Sequence, residues 1–184
     1  HISDSYEASE FGFNGGIGGQ YRLNDVMSAG LRLDYVYASY KNPESINRSL
    51  VRVYPNFKYN GGLFSLDAGF RILNYNDTLN NDAKTYLVPV VKVGYSLSDE
   101  MVAYAELDGN VEAFSLRDVA YENPYVNSRL PLNHTRKPVD LKVGVRGKAM
   151  QLLAYDVGVR AAYYRNMYFY INDPEEFNKF TVLY

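Results

Sequence analysis

The sequence predicts an all-β protein, specifically an antiparallel up-and-down transmembrane β-barrel, on three observations. Apolar and charged residues alternate with a period of two over long segments, which gives a strand one apolar and one charged face. The connections between these segments alternate between short and long. Tyr is abundant, with 19 residues, whereas Trp is absent. An apolar ring with a polar hydroxyl suits the boundary between lipid and water.

The clearest strand pair surrounds Asn60, Gly61 and Gly62. The residues before and after these three alternate regularly between apolar and polar types. The two glycines are expected to supply the positive φ angles of a tight turn between strands. The apolar positions of the two arms are Val51, Val53, Phe57 and Tyr59, then Phe64, Leu66, Ala68, Phe70 and Ile72.

The same alternation predicts about nine strands in all, and no segment shows helical periodicity, so we expect no helix. Besides the central pair, strands are expected at 11–23, 29–40, 86–97, 101–114, 139–149 and 153–164, with another beginning at 180–184. Short connections are expected at 24–26, 60–62, 98–100 and 150–152. Longer ones are expected at 41–47, 76–84, 115–138 and 172–178. Short turns at one end and long loops at the other are typical of outer-membrane barrels.

Proline and glycine mark irregular places in these strands. Pro55 and Pro89 fall inside predicted strands and cannot donate to a ladder, so a bulge or local break is expected at each. The glycine-rich run at 15–19 lacks the Lys-Ser/Thr pair of a phosphate-binding loop. We therefore expect it to be a strand that bends or permits a close approach.

Composition excludes several classes of protein. The absence of Cys removes disulfide frameworks and thiolate metal sites. The chain has 19 basic and 21 acidic residues, so it lacks the basic excess of a nucleic-acid binder. No apolar run approaches the roughly 20 residues of a membrane-spanning helix. We expect residues 1–184 to be part of a single barrel domain that is incomplete at both ends, because the first strand starts at the long-loop end and the last stops early.

Three further features favour a barrel with its apolar stripe outward over a soluble barrel or sandwich with that stripe inside. The predicted strands, of about 11–14 residues, match a tilted membrane span. Tyr recurs near strand ends, where an aromatic girdle is expected, at Tyr21, Tyr40, Tyr59, Tyr75, Tyr95 and Tyr163. Small residues, which would fill a soluble core poorly, occupy the apolar stripe at Gly15, Gly19, Ala29, Ala103, Ala105, Gly109, Ala113, Gly147, Ala149 and Ala161.

With the apolar stripe outward, the charged stripe lines the lumen. The lumen-lining candidates are Arg32, Asp34, Arg52, Lys58, Asp67, Arg71, Lys92, Glu106, Asp108, Glu112, Asp140, Lys142, Arg146, Lys148, Asp156 and Arg160. Glu106, Asp108 and Glu112 share one face of a strand and are candidate cation ligands. The favoured interpretation is that they neutralise Arg and Lys on neighbouring strands.

Catalytic chemistry is poorly represented. His1 and His134 are the only histidines, and nothing in the sequence pairs either one with a nucleophile and an orienting carboxylate. We expect no enzyme activity, no cofactor and no bound metal.

The stretch from Leu130 to Asp173 resembles the barrel region of TonB-dependent-receptor-like outer-membrane proteins of the Bacteroidetes type, in Gram-negative bacteria. The resemblant segments are 130–132, 140–148 and 163–172, and they cover about a quarter of the chain. The resemblance implies an integral protein of the bacterial outer membrane. The plug domain and energy-coupling box of the best-known relatives are not visible in this sequence, so the resemblance implies location and architecture rather than active import.

Three functions follow as expectations. The first is a porin- or receptor-like barrel for passage or uptake of solutes, with membrane lipid as its surroundings. The second is a barrel subunit or scaffold of an outer-membrane assembly, which contacts other outer-membrane or periplasmic proteins through loop 115–138. The third is a soluble β-barrel that binds an apolar ligand. Nucleic acid is not an expected partner.

Overall fold

Eight long strands form one antiparallel sheet in a computed structural model that describes residues 2–3, 9–42, 44–77, 82–127, 130, 133–149 and 153–184. Each strand pairs with its neighbours in sequence, and the two-residue β1 (Ile2–Ser3) extends the sheet beside β2. The long strands are β2 (Ser9–Arg22), β3 (Met27–Asn42), β4 (Glu44–Gly61), β5 (Phe64–Asp77), β6 (Asp82–Ser98), β7 (Met101–Glu112), β8 (Thr135–Ala149) and β9 (Leu153–Arg165). The all-β meander is thus confirmed. The sheet keeps two open edges and is not closed into a barrel.

The short turns confirm three of the four predicted positions. Asn24 accepts hydrogen bonds through Oδ1 from the backbone N–H groups of Val26 and Met27, at 3.0 and 2.8 Å. The central hairpin turns at residues 62–63, where Gly62 has a φ of +58°. Gly61 still belongs to β4 and has no positive φ, so the expectation that both glycines supply such an angle is correct for Gly62 only. A third turn covers 99–100. The turn expected at 150–152 lies outside the described residues.

Two of the predicted long connections are much shorter than expected. Strands β3 and β4 stay paired as far as Asn42 and Glu44, and β5 and β6 stay paired as far as Asp77 and Asp82. The predictions at 41–47 and 76–84 were wrong at these ends because ladder hydrogen bonds join backbone groups and do not require apolar side chains. Residues 43 and 78–81 lie outside the described part of the chain.

The expectation of no helix is also wrong, since α1 (Leu116–Glu122) lies in the connection between β7 and β8. Ser115 caps it, and Ser115 and Asp118 form a reciprocal capping box. Leu116 and Val119 form its buried side. At seven residues the helix is too short to show a convincing period, although the Ser-x-x-Asp signal was present.

The last part of the chain does not add a strand to the large sheet. Strands β10 (Phe169–Asn172) and β11 (Phe180–Leu183) pair with each other instead. The prediction that 180–184 begins another barrel strand is therefore wrong. Asp173 accepts hydrogen bonds from the N–H groups of Glu175 and Glu176, which turns the chain back early. Together α1, β10 and β11 form a layer that we call the cap.

Both prolines interrupt the sheet on one side, as predicted, whereas on the other side Pro55 pairs with Leu31 and Pro89 with Phe70 without a break. Pairing between β4 and β5 skips Tyr54 and Pro55 and resumes in the same register. Pairing between β6 and β7 begins at Val91, two residues after Pro89. Each proline therefore lies at a local break, as the missing N–H group requires.

The sheet curves so that one face is concave. Arg52 on β4 donates from Nη2 to the carbonyl oxygen of Val111 on β7, at 3.0 Å. In a flat sheet these strands would be about 14 Å apart, too far for an Arg side chain to bridge. Glu10 on β2 likewise reaches the backbone N–H of Leu116 at the start of α1, at 2.6 Å. The cap thus lies over one end of the concave face.

The alternation distributes side chains between the two faces as expected. The concave face holds the charged residues, and it also holds a buried apolar cluster that includes Leu50, Leu73 and Val111. A second cluster joins Tyr40 of the sheet to apolar residues of the cap. The convex face carries large apolar side chains in the open. Val159 is 77% exposed and Ile17 is 74% exposed, and nothing packs against this face among the described residues. The buried core therefore lies on the side that also carries the charges.

Two of the six girdle tyrosines were assigned to the wrong face. Tyr40 and Tyr75 are buried on the concave side, where Tyr40 belongs to the cluster that includes the cap and Tyr75 to the cluster with Leu50 and Leu73. Each is an even number of positions away from a concave-side residue of its strand, Tyr40 from Val36 and Tyr75 from Leu73. This spacing places the side chain on the concave face, whether or not the residue is near the strand end. Tyr21, Tyr95 and Tyr163 are exposed on the convex side.

No helix in the described ranges is long and apolar enough to cross a membrane.

Close packing at Gly69 gives a test of the sheet. A Cβ atom at this position would collide with the carbonyl oxygen of Pro55, and it would lie 3.0 Å from the Cα of Asn56. We expect Gly69→Ala to lower the free energy of unfolding by about 1–3 kcal/mol, the usual cost of overpacking. Gly19→Ala is the control, since a Cβ there meets nothing within 4 Å. Equal urea denaturation midpoints for the two variants would contradict this packing.

Candidate functional site

A row of charged side chains crosses six strands of the concave face. The register sets Lys58, Asp67, Lys92, Glu106, Lys142 and Arg160 directly opposite one another from β4 to β9. Opposite charges alternate over the first five members of this row. Cross-strand pairs of opposite sign stabilise a sheet, whereas like charges opposed directly destabilise it. These six predicted lumen residues therefore lie on one surface.

Most of the predicted residues also take part in ion pairs. The pairs connect neighbouring strands, positions two apart on one strand, or strands further apart. They are Arg32 with Asp34 at 2.9 Å, Lys58 with Asp67 at 3.8 Å, Arg71 with Asp108 at 2.7 Å, Lys142 with Asp156 at 3.6 Å and Arg160 with Asp140 at 2.5 Å. Within the described ranges, five predicted residues form no ion pair, namely Arg52, Lys92, Glu106, Arg146 and Lys148.

The repulsion between one pair of like charges is offset by cations on either side. Asp108 and Asp140 lie directly opposite each other on β7 and β8. Arg71, two strands away from Asp108, pairs with it across the concave face. Arg160 and Lys137 pair with Asp140, at 2.5 and 3.0 Å. The two carboxylates thus share a site without facing each other unneutralised.

The interpretation that carboxylates on β7 neutralise neighbouring cations is confirmed for Asp108 and Glu112. Glu112 pairs with Lys137 at 3.6 Å. A bulge lies between Asp108 and Asn110, and both Asp108 and Val111 contact concave-side residues although they are three positions apart. The regular alternation that grouped Glu112 with Glu106 and Asp108 does not hold across this bulge.

Tyr104 joins the charged surface, although the sequence analysis did not single it out. It is buried, it lies opposite Gly144, and its hydroxyl donates to Oδ1 of Asp156 at 2.5 Å. Lys142 and Arg146 lie over its ring, at 4.8 and 5.5 Å from the centroid. The signal in the sequence was a Tyr on the polar side of a strand, facing glycines in its neighbours. Such a ring can lie across backbone that carries no side chains.

The cap is held to the sheet and to itself by polar contacts. Both oxygens of the Glu10 carboxylate accept from backbone N–H groups at the start of α1. Within the cap, Tyr168 and Tyr170 donate to the Glu122 carboxylate, at 2.5 and 3.0 Å. Burial, together with the hydrogen bond to Glu122, raises the pKa of Tyr170 to about 12. The same two causes raise the pKa of Tyr168 further.

Of the two histidines, His1 lies outside the described residues. His134 is buried and its ring meets the Tyr75 ring edge-on, with centroids 5.4 Å apart. In the part of the chain that the structure describes, no group of three or more His, Asp or Glu side chains is arranged to hold a metal ion. The surface as a whole offers charged and hydroxyl groups to polar solutes and water.

The Arg71–Asp108 contact predicts a measurable contribution to stability. The Arg71 side chain is only 18% exposed, and its loss leaves Asp108 facing Asp140. We expect Arg71→Gln to lower the free energy of unfolding by about 2 kcal/mol in urea denaturation. Arg32→Gln is the control, because that side chain is 68% exposed and such pairs contribute about 0–1 kcal/mol. Adding Asp108→Asn to Arg71→Gln should recover part of the loss, and no recovery would contradict the like-charge explanation.

The tyrosines of the cap predict an alkaline transition. A Tyr with an ordinary pKa near 10 in the unfolded chain and about 12 in the folded one stabilises the fold below pH 10. This contribution disappears as the pH rises through 12. We expect the Tyr170 ring signal in ¹³C NMR, assigned by Tyr170→Phe, to titrate with a midpoint well above 10. Glu122→Gln should lower that midpoint, and a wild-type midpoint near 10 would disprove the contact.

Comparison with known protein families, curated proteins and solved structures finds no match for this chain. The resemblance to TonB-dependent-receptor-like barrels stays a prediction from the sequence.

Proposed function

We propose that this chain forms part of the wall of a transmembrane β-barrel in the bacterial outer membrane, and that the barrel provides passage or uptake of solutes. The observation that supports this most strongly is the placement of the two faces. The curved sheet has its charges inside the curve and its large apolar side chains outside. A transmembrane barrel has a polar interior and an apolar outer band.

The exposed apolar area argues against a soluble barrel that encloses an apolar ligand. That fold would turn the apolar stripe inward and the charged stripe to water. Soluble monomers rarely expose contiguous apolar patches above a few hundred Å². Here exposed apolar residues occur on strands across the whole sheet, as at Phe13, Leu33, Phe70, Val143 and Val159. Contact with acyl chains would remove this area from water, at about 25 cal/mol per Å².

Strand dimensions support the same proposal. The eight long strands have 12 to 18 residues, more than the 9–11 of a tilted span. Aromatic side chains gather on the convex side near the short turns, where the rings of Tyr59 and Phe64 lie 6.2 Å apart and Tyr21 and Tyr95 are exposed. Such aromatic girdles are typical of the boundary between lipid and water.

The described sheet does not close on itself, so a closed lumen needs further strands. In the described residues the outer edge of β9 is unpaired, and β2 carries only the two residues of β1 on its outer edge. Open sheet edges do not occur in the hydrocarbon region of a membrane. The proposal therefore includes further strands that pair with β2 and β9.

A subunit or scaffold role is the second candidate, and the cap favours it. The aromatic side chains of Tyr121 and Phe177 are 90% and 94% exposed on the cap. Exposed aromatic residues are enriched at protein interfaces. In this alternative the barrel inserts into the membrane without conducting, and the cap contacts an outer-membrane or periplasmic partner.

Spin labels on the two faces test the proposal. Labels at Leu33, Leu66 and Val143 should contact lipid, so oxygen should relax them more strongly than a water-soluble nickel chelate does. Labels at Lys92 and Arg146 are the matched controls on the charged face, and they should show the reverse. Nickel access at all five positions would contradict the membrane assignment. If the labels support the membrane assignment, conductance in planar bilayers would favour passage of solutes, whereas insertion without conductance would favour the subunit role.

A further inference from the structure

We propose that a cleft on the concave face binds a small organic anion, and that Arg52 is the residue that recognises its carboxylate or phosphate group. This cleft lies between β2, β3 and β4 on one side and residues 113–118, which lead into α1, on the other. We call it the Arg52 cleft. The inference goes beyond solute passage, since a binding site of this kind does not depend on a membrane.

The cleft has the size of a small-molecule site. Its volume is about 540 Å³, within the range of roughly 300–1,000 Å³ for ligand pockets. Apolar side chains line part of both walls, with Val36, Ala38 and Leu50 on one side and Ala113 and Phe114 on the other, and polar groups line the rest. The apolar parts can contact the body of an organic molecule while a cation binds its charged group.

Arg52 lacks the counter-ion that its position in the sheet would give it. Asp34 lies directly opposite on β3. The Asp34 carboxylate instead accepts three hydrogen bonds from the Arg32 guanidinium, at 2.9 to 3.1 Å. Arg52 is left to donate from Nη2 to the carbonyl oxygen of Val111, at 3.0 Å. Its Nε is buried and has no hydrogen-bond partner.

A partly buried guanidinium that forms no ion pair favours the binding of an anion. Burying a charge is costly unless it is paired and hydrogen-bonded. Across the described residues Arg52 forms no ion pair, and it donates to a backbone carbonyl rather than to a carboxylate, so the nearby Asp34 and Glu112 carboxylates act on its charge only from a distance. A carboxylate or phosphate in the cleft would supply the missing charge, and the planar guanidinium matches either group in a bidentate geometry.

The acidic residues of the cleft are already engaged. The two oxygens of Glu10 accept from the N–H groups of Leu116 and Arg117 at 2.6 and 3.4 Å, and Asp118 accepts from Ser115. Arg48, whose Nη1 donates to the carbonyl oxygen of Phe114 at 3.2 Å, and Arg117 also line the cleft. The lining thus carries three arginines against two carboxylates.

The test compares benzoate and phenylphosphate with neutral benzamide, on the full chain in nonionic detergent, by calorimetric titration. We expect at least one of the two anions to bind ten or more times more tightly than benzamide. Arg52→Gln should abolish this preference. Lys92→Gln should keep it, because Lys92 is a cation of the same face that does not line the cleft. Equal binding of the anions and benzamide, or a preference that survives Arg52→Gln, would overturn the proposal.

A second variant tests the place of binding without removing a charge. Gly12 lies on the β2 wall, and a Cβ atom there would meet only the carbonyl oxygen of Tyr37, at 3.8 Å. We expect Gly12→Leu to fill the cleft and to weaken binding of the preferred anion at least tenfold, even if Arg52→Gln fails to fold. Unchanged binding by Gly12→Leu would reject the cleft. Because the titration needs neither insertion nor conductance, its outcome is separate from that of the membrane proposal.

Discussion

The direction in which the sheet curves is the constraint on which the rest of this structure depends. Strict alternation along consecutive antiparallel strands separates charged from apolar side chains, but alone it leaves open which set lies inside the curve. Three contacts decide this, because Arg52, Arg48 and Glu10 each reach across from β2 or β4 to backbone at the end of β7 or the start of α1. They draw these strands together on their charged side.

Because the curve of the sheet encloses charged groups, its inner side must be stabilised differently from a purely apolar core. The concave face does this in two ways. On one part of it, apolar residues such as Leu50 and Leu73 share this face with the polar ones and form a small core. Further along the strands, ion pairs and the hydroxyl of Tyr104 satisfy most of the charged groups. Arg52 lies at the border of these two zones, where its carboxylate neighbour is held by Arg32. That position explains why a site for an anion arises there.

The strands, their order and the face of most side chains could be predicted from the sequence, because a period of two is a local property that pairing preserves. Loop lengths could not, since the ladder between β3 and β4 continues through backbone groups as far as Asn42 and Glu44, beyond the regularly alternating residues. The girdle assignment failed at Tyr40 and Tyr75 because nearness to a strand end does not determine phase. The sequence also could not predict that Arg52 forms no ion pair with Asp34. Asp34 has one Arg two positions before it and another across the ladder, and only coordinates show which one it binds.

The outer edge of β9 carries a consequence for how such a sheet is made. Its 13 residues present a row of N–H and C=O groups that no strand among the described residues satisfies, and in hydrocarbon each such group would cost several kcal/mol. An unpaired edge of this length offers ladder hydrogen bonds to a further strand, so the sheet can grow at β9 by adding one strand at a time.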